Sequence, residues 1–143
     1  MKPTHLFILF FFGLFLGTLS LSTFADTPLY ARLGGKSAIS KLVDGFLTSL
    51  SSDPQLMANP KLREFKTQVD RKRLHKQLTE RVCQATGGPC KKEVLKLNVE
   101  PPNVRLNPLD WLAVVGDLQR SLDEKKIGQQ EKTELVLLLM QAR

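Results

Sequence analysis

Between Lys36 and Leu50 the apolar residues recur at Ile39, Leu42, Val43, Phe46, Leu47 and Leu50, at steps of three and four. That spacing lays one hydrophobic stripe along a helix and does not suit a strand, whose faces alternate at every second residue. No stretch of the chain sustains the two-residue alternation, so the expected class is all-α.

The other stripes are separated by turn chemistry. Leu29 to Leu33 is a short apolar turn stopped by Gly34-Gly35. Ser51-Ser52-Asp53-Pro54 ends the 36–50 stripe, and Asn59-Pro60 marks a second irregular connection. Val69, Leu74, Leu78 and Val82 form the next stripe, which closes at Gly87-Gly88-Pro89. Glu93 to Val99 is a short segment stopped by Pro101-Pro102, neither of which carries a backbone donor. Asn107-Pro108-Leu109-Asp110 is the clearest helix start: Asn caps, Pro suits the first turn, and Asp suits the positive helix end. The helix it opens carries Trp111, Leu112, Val115, Leu118 and Leu122. Glu134 to Met140 is apolar on every side, which predicts a helix in the middle of a bundle.

Lys2 and the amino terminus precede an apolar run of 16 residues, Leu6 to Leu21. Thr23-Phe24-Ala25 then places small residues where a signal peptidase reads. The expectation is a signal peptide over 1–25 and an exported chain, periplasmic or secreted. The alternative is an uncleaved anchor, for which 16 residues fall short of the roughly 20 that span a bilayer. Residues 26–143 are then a single domain, long enough for one core. Six of the eight Phe lie in the leader, so Leu, Val and Ile must build that core around Tyr30, Phe46, Phe65 and Trp111.

Without Lys2 the chain holds 20 basic residues against 14 acidic ones. Lys61, Arg63, Lys66, Arg71, Lys72, Arg73, Lys76 and Arg81 form a basic stretch over 61–81, opposed by Glu64, Asp70 and Glu80. It reads either as a solvated helix face or as a surface for an anionic partner such as lipid headgroups. Export disfavours nucleic acid. Cys83 and Cys90 flank the Gly-Gly-Pro turn, and an even count in an exported chain permits a disulfide. The rival is a buried Cys83 with Cys90 free. No Cys-x-x-Cys, zinc-type cluster or haem-attachment motif is present.

The segments Leu29-Tyr-Ala-Arg-Leu-Gly-Gly35, Val43-Asp-Gly-Phe46, Val82-Cys-Gln-Ala-Thr-Gly-Gly-Pro89, Asp110-Trp111 and Leu122-Asp-Glu-Lys-Lys-Ile-Gly128 resemble the diagnostic stretches of the group 1 truncated haemoglobins. The resemblance spans nearly all of 26–143. It implies a globin-like, truncated two-on-two helical sandwich, with both glycine pairs ending helices through positive φ. It also implies haem as cofactor and oxygen or nitric oxide as ligand. The rival is an unrelated helical bundle with chance turn glycines.

Several haem roles fall on a different residue here. The family's iron-binding histidine lies ten residues before the aromatic of the Asp-aromatic pair, a position held by Pro101 and followed by Pro102. Lys92-Glu93-Val94 stands in place of the usual Tyr-Thr-Gly. Leu47 corresponds to the oxygen-bonding tyrosine, and Leu74 and Leu78 to frequent polar positions. Phe65 takes the place of the usual pocket phenylalanine. Leu47, Leu74, Leu78 and Val82 are therefore the expected pocket lining.

His75 is the sole histidine after the leader. It lies about 100° round the helix from Leu74, beside the stripe, so it reads first as an interhelix histidine and second as a distal-side iron ligand. Cys83 and Met140 are weaker ligand candidates that read better as core residues. No catalytic constellation is present, so no enzyme is expected. Two functions remain open: a haem protein, or a haem-free binding module that takes a small apolar ligand in its cavity or uses its basic face.

Overall fold

The computed structural model describes residues 27–90 and 105–142, which form seven helices and no strand. These are α1 (Leu29–Arg32), α2 (Gly35–Ser52), α3 (Pro54–Ala58), α4 (Pro60–Gln68), α5 (Arg71–Ala85), α6 (Pro108–Glu124) and α7 (Gln129–Gln141). Residues 1–25, expected as a signal peptide, Lys92-Glu93-Val94, the 93–99 segment and Pro101-Pro102 lie outside the described residues.

Side-chain caps set most of the helix starts. Asp53 accepts from the Leu56 amide at 3.0 Å, Asn59 from the Lys61 amide at 3.0 Å, and Asp70 from the Arg73 amide at 3.1 Å. Asn107 and Asp110 form a reciprocal capping box at the start of α6. Asp53-Pro54 and Asn59-Pro60, expected as breaks, are thus helix starts of the same kind as Asn107-Pro108.

α2 is the centre of the domain. It packs on α5 and on α6, while α7 packs on α6 and α1, and α3 joins α2, α4 and α6. Ile39, Leu42, Val43 and Leu47 of α2 meet Cys83, Leu118, Leu122 and Leu135 in one core, closed at one end by Leu29 and Leu33. Full burial of a side chain such as Ile39 or Leu122 contributes roughly 1.5–3 kcal/mol. The stripe read from the sequence of α2 is the face that the structure buries.

Two expectations are corrected. α7 does not run through the middle of the bundle: Leu135 is its buried residue, while Leu137 and Met140 are 52% and 54% exposed. With α6 and α1 as its partners, α7 turns its other side outward, and Met140 is no core residue. The stripe assigned to α5 is also incomplete. Val69 belongs to the end of α4, and Leu74, Leu78 and Val82 are only half-buried. The buried residues of α5 are Gln77, Thr79, Glu80 and Cys83. Lys36 of α2 pairs with Glu80, which explains how an acid is tolerated there.

Candidate functional site

The four residues expected to line a pocket come from two helices. Leu47 of α2 is buried in the core, and Leu74, Leu78 and Val82 of α5 pack against that core. All four therefore belong to one apolar assembly. Leu74, Leu78 and Val82 follow one another at four-residue steps, so they share one face of α5.

His75 is engaged elsewhere. Its Nε2 lies 2.9 Å from the Ser40 carbonyl oxygen and 3.5 Å from Ser40 Oγ. A carbonyl can only accept, so Nε2 carries the proton and donates. His75 thus bridges α5 to α2, on an outer seam that it shares with Lys36, Ser37, Ser40 and Lys76.

Cys83 and Cys90 are joined in a disulfide, with Cα atoms 6.1 Å apart. Between them the turn is locked by α1. The Tyr30 amide donates to the Thr86 carbonyl at 2.8 Å, and the Lys36 amide donates to Tyr30 Oη at 3.1 Å. Gly34, Gly35 and Gly87 have positive φ as expected, but Gly88 does not. A Cβ on Gly88 would meet Cys83 Sγ at 2.7 Å and the Tyr30 ring. The second glycine of that pair serves close packing and not backbone handedness.

Two further polar devices hold the frame, and the sequence offered no periodic signal for either. Arg32 of α1 forks onto Glu131 at 2.8 Å and Glu134 at 2.6 Å, tying α1 to α7. The hydrogen bond to Arg32 holds Glu134 below the usual carboxylate range. Asp110, 1% exposed, accepts from Asn59 Nδ2 (3.1 Å), Gln55 Nε2 (3.3 Å) and the Asn107 amide (3.2 Å), which ties α3 and the start of α4 to α6. Burial pushes the Asp110 carboxyl up, but these donors together bring it below its ordinary value. Asp117, fully buried, has one oxygen bonded to Arg120 at 2.7 Å and the other without a partner among the described residues. Burial, with Asp53 nearby, holds its carboxyl above the ordinary value.

The donor set can be tested against haem iron. Among the described residues no cluster of His, Cys, Asp and Glu could hold a metal. Haem iron asks for only one axial donor. His75 lies on the outer α2–α5 seam with Lys36, Ser37 and Ser40 and outside the apolar assembly, both cysteines are joined to each other, and Met140 lies on the outside of α7. None of these four side chains is placed for axial ligation at the apolar assembly.

These helices define a globin-like all-α domain. No family model and no curated protein matches the chain. Among solved structures it is similar to truncated haemoglobin from Tetrahymena pyriformis in the Fe(III) form, with 21% identity over 82% of this chain and 95% of that one, at a TM-score of 0.64. Two mutants of that protein, also Fe(III), match at TM-scores of 0.66 and 0.64 with 20% and 21% identity and the same coverage. The fold is that of the truncated haemoglobins.

Proposed function

We propose that this chain is an exported, group 1-like truncated globin in which protein ligation of haem iron has been lost. It keeps the fold as a binding module whose apolar interior, at Leu47, Leu74, Leu78 and Val82, takes a small apolar ligand. The observation that carries this reading is His75. The one imidazole after the leader sits on the outer α2–α5 seam, away from that apolar interior, and Pro101, at the position of the family's iron ligand, has no side-chain donor. Apolar burial can still hold a porphyrin, at about 25 cal/mol per Å² removed from water, but it leaves iron without a protein bond. The domain is 26–143, and the leader 1–25 directs it to the periplasm or outside the cell.

The likeness to Fe(III) truncated haemoglobins supports the second reading, a haem protein that binds oxygen or nitric oxide. Haemin titration of the purified protein separates the two. The expected result is a broad, weak Soret band, unchanged in His75→Ala. Stoichiometric uptake with a sharp band that His75→Ala abolishes would establish distal-side ligation instead.

A further inference from the structure

An open cleft of about 630 Å³ lies on the outer seam of α2 and α5. Lys41 and Asp44 of α2, Arg71, Lys72 and His75 of α5, and Lys125 at the end of α6 line it. Four fixed cations thus face one carboxylate, although they come from three separate helices. Asp44 is already matched by Arg71 at 3.3 Å, and Arg71 also donates to Thr48 Oγ1 at 2.8 Å, which fixes its guanidinium. Lys41, Lys72 and Lys125 form no salt bridge among the described residues. The Lys125 stem passes over Gly45, where a Cβ would lie 3.8 Å from Lys125 Cε, so its ammonium is carried across α2.

The rest of the basic stretch is used differently. Lys61 pairs with Glu64, Arg63 donates to the Met57 carbonyl at 3.1 Å, and Lys66 donates to the Ser51 carbonyl at 2.7 Å. Of the eight basic residues over 61–81, only Arg71 and Lys72 reach this cleft. The folded chain brings Lys41 and Lys125 to them. Three unpaired ammonium groups around one concavity repel one another, and a bound anion relieves that repulsion.

We propose that this cleft binds a ligand bearing two or more phosphate groups. A multivalent anion is required because the cations are spread over three helices and the cleft is open to water, where one charge pair is worth little. Phosphate fits the oriented Arg71 fork, with the lysines as point charges and the Ser40 hydroxyl beside them. The site stands on charge and geometry alone and is independent of what enters the apolar interior. Phosphates of this chemistry occur free, as oligophosphates, or as lipid headgroups.

The test uses tripolyphosphate in calorimetric titration at low ionic strength, and sedimentation with vesicles of cardiolipin, whose headgroup carries two phosphates, in phosphatidylcholine. Lys41→Ala/Lys72→Ala/Lys125→Ala removes the unpaired charges. Lys61→Ala/Arg73→Ala/Arg105→Ala removes the same charge outside the cleft. Arg71→Lys keeps the charge and removes the fork. Tripolyphosphate or vesicle binding should fall at least tenfold in the cleft variant and about threefold in Arg71→Lys, and stay within twofold in the control. Loss confined to vesicles assigns a lipid source, and loss confined to tripolyphosphate assigns a free one. Equal loss in cleft and control variants, or no binding of either probe by the wild-type chain, overturns the site. Circular dichroism checks that each variant keeps its helicity. If the triple variant does not fold, Arg71→Lys decides, and unchanged binding there counts against the site.

Discussion

The ring of Tyr30 lies against Gly88, so closely that a Cβ on Gly88 would stand 2.7 Å from Tyr30 Cε2. The contact joins residues far apart in the chain and seats α1 on the turn after α5. The Tyr30 amide bonds to the Thr86 carbonyl in the same place.

Gly88→Ala should therefore destabilise the domain by about 1–3 kcal/mol, the usual cost of overpacking. Gly116→Ala, inside α6 with nothing within 4 Å of its added Cβ, should stabilise it by about 0.4–1 kcal/mol. Urea midpoints of the two variants give the comparison, and a harmless Gly88→Ala would refute the packing role.

Asp110→Ala removes three part-buried hydrogen bonds, one of them half of the capping box, which should cost about 1–3 kcal/mol. Because the native carboxyl is held below its ordinary value of 3.8, the stability it contributes is complete above that pH. It is lost as pH falls through the lowered native value. Acid unfolding should accordingly begin at higher pH in Asp110→Asn than in the wild type.

Asp117 has the opposite sign. Its native carboxyl is raised above 3.8, so the folded state binds its proton more readily, and stability falls as pH rises from 3.8 through the raised value. Asp117→Asn should be more stable than the wild type at pH 7 and gain nothing below about pH 3. Thermal melts at the two pH values check this; a variant less stable at pH 7 would show that the Arg120 bond outweighs burial.

The Cys83–Cys90 disulfide closes a short loop, worth about 2–3 kcal/mol in the chain-entropy model. Denatured, unreduced protein should show no reactive thiol, and reduction should lower the melting temperature by several degrees. Two reactive thiols before reduction would mean that the bond does not form.

Much of the helix layout was legible because caps are local. Asp53-Pro54, Asn59-Pro60 and Asn107-Pro108 share one chemistry, an oxygen accepting from the next turn's amides ahead of a proline that needs no donor. The first two read as breaks because the helices they open are short and carry no clear stripe. α7 was misplaced for a different reason. An all-apolar run says that burial is affordable on every side, but not how many neighbours arrive, and α7 receives α6 and α1. On α5 a buried Glu80 lay outside any apolar pattern, since its partner Lys36 is supplied by α2.

The amino-acid sequence by itself determined the helical class, through spacing of apolar residues along each turn. It also set how few histidine and cysteine side chains follow residue 25, one and two respectively. Tertiary structure decided where the donors sit: His75 is held to the Ser40 carbonyl 35 residues away, on the outer α2–α5 seam. It also decided where basic charge collects, drawing Lys41, Arg71, Lys72 and Lys125 from three helices around one cleft while Lys61, Arg63 and Lys66 bond elsewhere. Local periodicity encodes the face that a helix turns inward. The partner it meets there depends on contacts between segments that no local pattern specifies.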